Sequence, residues 1–78
     1  MTPHLRSVTV RQVTRALERD GWTLLRSSGS HRSFTKQGRL VIVPYHHSSA
    51  TLPPGTMADI IARAGWTDED LRRLHLLK

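Results

Sequence analysis

Hydrophobic and polar positions divide the chain into segments of different period. Between Thr9 and Arg19 the apolar residues Val10, Val13 and Leu17 recur at helical spacing and share one face. Thr9, followed three residues later by Gln12, forms a capping box, and Asp20-Gly21 supplies a glycine stop, so this segment predicts a helix. The period then shortens. Trp22 to Ser27 is rich in aromatic, Thr and Leu residues that suit a strand, Ser28-Gly29 turns the chain, and His31 to Lys36 resumes extended structure around Phe34. Gln37-Gly38 turns it again. Leu40-Val41-Ile42-Val43 is apolar on both faces, and Pro44 ends that strand because proline cannot donate to a ladder.

Tyr45 to Gly55 has the histidine, serine and proline content of an irregular loop. Met57, Ile60, Ile61 and Ala64 restore the helical period until Gly65. Thr67 with Asp70, acids at Asp68 and Glu69, and Arg72, Arg73 and Lys78 further on predict a short third helix that completes the core through Leu71, Leu74 and Leu77. The expected architecture is α+β in the order α-β-β-β-α: a three-stranded antiparallel sheet with two helices on one face, plus a short C-terminal helix. Both main helices must cover the same face, because Val10, Leu17, Ile60 and Ile61 would otherwise leave a large apolar patch. Residues 1–8, with Pro3 and little periodicity, read as a flexible tail, and residues 9–78 as one domain.

Composition narrows the function classes. A chain of 78 residues buries only about 60% of the surface its unfolded form exposes, and the absence of cysteine removes disulfides and thiolate metal sites. The longest apolar run, Leu40 to Pro44, falls far short of the ~20 residues a membrane span needs, and no signal-like segment precedes it. A soluble, cytoplasmic protein is expected. The formal charge is +6, and residues 1–57 carry all of it, with eight bases against two acids. Arginine predominates, and its planar fork suits phosphate, so a nucleic acid is the favoured partner over an acidic protein.

The candidate chemistry gathers around Ser30, His31 and Arg32. With Phe34 turned to the core, His31 falls on the opposite, solvent-facing side of its strand. Histidine, whose unperturbed pKa is ~6.5, can take or give a proton near neutrality, and Arg32 or Lys36 can offset charge on a phosphate. His46 and His47 follow the third strand and offer a second imidazole, for acid chemistry or for holding phosphate. Zinc binding by the three histidines is disfavoured, since adjacent histidines lack helical i, i+4 geometry and no carboxylate lies nearby, and no cofactor is expected. Arg11 and Arg15, with Arg19, recur every fourth residue on the first helix, where like charges repel unless something anionic relieves them. Trp22 and Trp66 each follow a helix-stopping glycine and read as packing anchors.

These segments resemble the HicA toxins of HicAB toxin–antitoxin modules over residues 9–66. The likeness rests on Asp20-Gly21-Trp22, Gly29-Ser30-His31-Arg32 with Phe34, Val43-Pro44-Tyr45-His46, and Leu52-Pro53-Pro54-Gly55-Thr56-Met57 with Ile60-Ile61 and Ala64-Gly65. The resemblance implies a double-stranded-RNA-binding-like fold and a small ribonuclease that cuts mRNA, with His31 as the catalytic residue. It further implies a HicB-type antitoxin partner, which holds the module's DNA-binding segment; nothing in this chain reads as helix-turn-helix. The family carries a lysine shortly before the Leu-Pro-x-Gly-Thr segment, where this chain has Ala50 and Thr51.

Overall fold

The computed structural model describes residues 8–77. Six elements follow one another: α1 (Val10–Arg19), β1 (Thr23–Ser28), β2 (His31–Lys36), β3 (Arg39–Pro44), α2 (Pro54–Ala64) and α3 (Asp68–Arg73). The strands form one antiparallel sheet in the order β1-β2-β3. The architecture is therefore the α+β arrangement that the periodicity predicts.

Local chemistry fixes the helix ends. The Thr9 hydroxyl accepts from Gln12 N while the Gln12 side chain accepts from Thr9 N, and Thr67 with Asp70 repeats the device on α3. At the far ends of α1 and α2, Gly21 and Gly65 adopt left-handed backbone with φ of 90° and 71°. Each reverses the chain, so that the tryptophan following it donates its backbone N–H to a carbonyl in the last helical turn, Trp22 to Leu17 and Trp66 to Ile61. Both indoles are thereby turned back onto the core, 4% and 7% exposed. The core joins Val13, Ala16 and Leu17 of α1 to Phe34, Val41 and Val43 of the sheet and to Met57, Ile60 and Ala64 of α2.

Burying two indoles requires an acceptor for their N–H groups. Asp20 provides it: Oδ2 accepts from Trp66 Nε1 at 2.7 Å and from Trp22 Nε1 at 3.1 Å, while Oδ1 accepts from Arg73 Nη2 at 2.8 Å. Lys36 adds its ammonium group, 3.5 Å from Oδ2 and hydrogen-bonded to the Asp20 carbonyl. One carboxylate thus ties the C-terminal ends of α1 and α2, the end of β2 and helix α3 together. Burial alone pushes the Asp20 carboxyl up, but the donors Trp66, Arg73 and Trp22 and the Lys36 charge outweigh it and bring it down to about 2 from 3.8.

Several particulars depart from the sequence expectation. Val8, read as part of the tail, is 2% exposed, and its carbonyl accepts from Leu52 N, so the domain begins there; residues 1–7 of that tail lie outside the described residues. The apolar run of β3 is buried on one side only: Val41 and Val43 lie beneath the helices, while Leu40 and Ile42 are 45% and 46% exposed on the uncovered face. In the C-terminal segment Leu76 joins Leu71 and Leu74 in the core while Leu77 packs at its edge, because the left-handed backbone of His75, φ 61°, breaks the helical period that would have brought Leu77 inward.

Replacing Asp20 by Ala leaves two buried indole donors without an acceptor, at about 1–3 kcal/mol for each unsatisfied group. A loss of at least about 2 kcal/mol is expected, or roughly 10 °C in thermal melting for a chain of this size. Because the folded carboxyl lies near 2 and the unfolded one at 3.8, its contribution is complete above the unfolded value and disappears as pH falls through the folded one. The melting temperature of wild type should therefore drop between about pH 4 and pH 2, with a shallower drop in Asp20→Asn.

Candidate catalytic and RNA-binding site

The tight β1–β2 connection, Gly29-Ser30, sets the position of His31. Ser28 pairs with His31 across this connection, and Gly29 takes the positive φ of 56° that opens it. His31 is therefore the first residue of β2, flanked in register by Ser28 on β1 and Pro44 on β3. It is exposed, whereas Phe34 is 3% exposed, as the strand alternation requires. Its Nδ1 lies 3.5 Å from Ser30 Oγ, at the outer limit of a hydrogen bond.

The loop after β3 is held against this turn and against α1. Tyr45 N donates to the Ser30 carbonyl, carrying the chain past the turn, so His46 and His47 emerge at the same end of the sheet. The first N–H groups of α1, which no helical carbonyl can satisfy, find loop acceptors instead: Val10 N donates to Ala50 O and Arg11 N to Ser48 O, both at 2.9 Å. Arg11 Nη2 also donates to Ser48 Oγ at 3.0 Å, and His47 Nδ1 lies 3.1 Å from Ser49 Oγ. Ser30, His31, His46, His47 and Arg11 accordingly gather at one end of the molecule.

The remaining sequence candidates lie elsewhere. Arg32 shares that end of the sheet but, alternating with His31, points to the helix side, where its guanidinium lies 3.5 Å over the Tyr45 ring. Lys36 is five residues from His31 along β2, roughly 17 Å away, and is engaged by Asp20, so it does not belong to this group. Arg15 stands one helical turn beyond Arg11 and lines a separate cleft with Arg19 and His75.

Two contributors escape a reading by strand parity. A bulge between Leu24 and Arg26 inserts one residue into β1, so Leu24 opposes Phe34 on the helix side while Arg26 opposes Ser33 on the uncovered face. Arg26 therefore shares the face of His31, whereas unbroken alternation would have placed it with Leu24. Tyr45, which orients Arg32, had no signal beyond its place after Pro44. Among the described residues, Arg11, Arg15, Arg19, Arg26 and Arg32 form no ion pair, while Lys36, Arg63 and Arg73 do. Arg39 on β3 and Arg72 on α3 form none either, so positive charge without a carboxylate partner extends over α1, the sheet and α3.

The uncovered face presents the His31 imidazole and the Ser28, Ser33 and Thr35 hydroxyls beside the apolar pair Leu40 and Ile42. Such a surface can bring a proton acceptor and hydrogen-bond donors to a phosphodiester lying in solvent. Among the described residues, no three His, Cys, Asp or Glu side chains converge as metal ligands do, and no helix is long and apolar enough to cross a membrane.

A comparison with curated proteins finds none that matches. A family model described as the HicA toxin of bacterial toxin–antitoxin systems matches residues 10–66, a span that begins with α1 and ends at the buried Trp66. That match covers well over half of the chain and contains every candidate residue of the His31 end, and the chain belongs to the HicA toxin family.

Proposed function

We propose that this toxin is an endoribonuclease that cleaves mRNA with His31 as the proton-transferring residue. The observation that carries the reading is the exposed His31 imidazole on the uncovered sheet face, at the end where Arg11, His46 and His47 converge. In this reading His31 removes the proton from a ribose 2′-hydroxyl. The 2′ oxygen then attacks the neighbouring phosphorus, and the bond from phosphorus to the 5′ oxygen breaks. The departing 5′ oxygen takes a proton from His46, His47 or water. In this reading Arg26, which shares the face of His31, and Arg11, tied to the loop at the same end, offset charge on the phosphate.

Membership of the family implies a cognate antitoxin. In this reading the antitoxin silences the enzyme by covering His31, and Leu40 and Ile42 offer apolar surface for it on the same face. Such a partner is expected to be a HicB-type protein, drawn in by the basic field of the chain.

With chelator present throughout, wild type should cut labelled single-stranded RNA while His31→Ala cuts it at least about 100-fold more slowly, the lower range for a positioned acid or base. RNA affinity should change little, because one histidine adds little to a grip made by several arginines; binding by both without cleavage would leave the chain a non-catalytic RNA-binding module, and equal cleavage by both would remove His31 from the chemistry. A DNA strand of the same sequence should stay intact, since it has no 2′-hydroxyl, and its cleavage at a comparable rate would sink the mechanism. Replacing Leu40 and Ile42 together by Ser should weaken antitoxin binding about tenfold or more, at ~1.4 kcal/mol per tenfold, while the free toxin still cuts RNA. Unchanged antitoxin affinity would remove this face from the interface.

A further inference from the structure

The three helices end with the same backbone motif, and one of them departs from its chemistry. Just past α1 and α2 the left-handed position is filled by Gly21 and Gly65, the residue type that adopts it without steric penalty. Past α3 the same position is held by His75, φ 61°, and the motif is completed by Leu76 N donating to Leu71 O at 2.8 Å. A side chain at such a position is a departure that function can explain.

His75 lines a cleft of about 180 Å³ together with Gln12, Arg15, Arg19, Leu74 and Leu76. Arg15 and Arg19 are neighbours on α1 at i, i+4, where like charges repel, and neither pairs with a carboxylate among the described residues. Two arginines and a histidine, the residue types that hydrogen-bond anions most readily, thus line one small cleft. Its position relates it to the His31 end. Arg11, which begins the same arginine row, is hydrogen-bonded to the loop that carries His47, and Arg19 lies about 12 Å further along α1 at ~1.5 Å per residue. The His75 wall belongs to a segment beyond the residues 10–66 that the family model matches.

We propose that Arg15, Arg19 and His75 form a second phosphate subsite, which holds the backbone of nucleotides flanking the one cut at His31. This subsite rests on the reading of the chain as an RNA-cleaving toxin. A single strand leaving the reacting phosphodiester on the uncovered face crosses the end of the sheet past the loop that Arg11 holds and then follows α1, where a flanking phosphate is clamped. The leucine walls exclude water from one side of the clamp, strengthening each charged hydrogen bond there.

The test is binding of a 2′-O-methylated single-stranded RNA, which keeps the phosphates and resists cleavage, measured across a salt series. Arg15→Gln with Arg19→Gln should weaken binding about tenfold at low salt and reduce the slope of log affinity against log salt by about 1.4, at ~0.7 per lost contact. His75→Gly should bind two- to threefold more weakly while its melting temperature holds or rises, because glycine fits the left-handed position; that combination separates a ligand contact from a folding defect. Affinity and slope unchanged in both variants would overturn the subsite and leave the ribonuclease reading intact. Variants that keep RNA affinity but lose the antitoxin would assign the cleft to the antitoxin and overturn the proposal as well. Wild type that binds no RNA would overturn both this inference and the function on which it rests.

Discussion

The Asp20 carboxylate accepts hydrogen bonds from the indoles of Trp22 and Trp66 and from Arg73, with Lys36 alongside, and in doing so gathers the ends of four elements onto one small acceptor. In a chain of 78 residues without cysteine, no disulfide can do this work. The two tryptophans are the largest side chains in the core, and they can be buried only because their N–H groups are satisfied there. A low carboxyl pKa and a well-buried pair of indoles are two expressions of the same contact.

That contact sits at one end of the sheet and leaves the other end free for chemistry. Helix α1 runs between them: its C-terminus enters the Asp20 cluster, and its N-terminus donates to the carbonyls of Ser48 and Ala50 in the histidine-bearing loop. The loop is thereby ordered by backbone hydrogen bonds, and its histidines can stay in solvent beside the turn that presents His31. The Asp20 cluster holds the indoles, Lys36 and Arg73 at one end, and the exposed His31, His46 and His47 lie at the other. Lys36 shows the division most clearly, being the one base of the sequence-derived site that the fold uses for an ion pair instead.

Much of this was legible in the sequence because it depends on local signals. The capping box at Thr9 and Gln12, the glycine stops and the alternation around Phe34 each act over a few residues, and together they placed α1, the meander and the exposure of His31. What the sequence does not reveal depends on longer range or on local backbone departures. The role of Asp20 requires Trp66 and Arg73, 46 and 53 residues away in sequence, to arrive at the same point. The face of Arg26 depends on a one-residue bulge that alternation cannot reveal, and the burial of Leu76 on a left-handed histidine that no turn rule requires. The apolar residues on the second face of β3 read as buried, yet no helix among the described residues covers that face.

Family membership makes the chain a toxin, its scaffold is fixed by Asp20, and the proposed reading adds a reaction that uses the RNA's own 2′-hydroxyl. The most direct measurement of that reading is the chemistry of the ends produced when the wild-type protein, with chelator present, cleaves a single-stranded RNA. Attack by the 2′ oxygen requires a 2′,3′-cyclic phosphate, or the 3′-phosphate formed by its hydrolysis, on one fragment and a 5′-hydroxyl on the other. Fragments carrying a 3′-hydroxyl and a 5′-phosphate would mean that water or another nucleophile attacked the phosphorus, and would contradict the role assigned to His31.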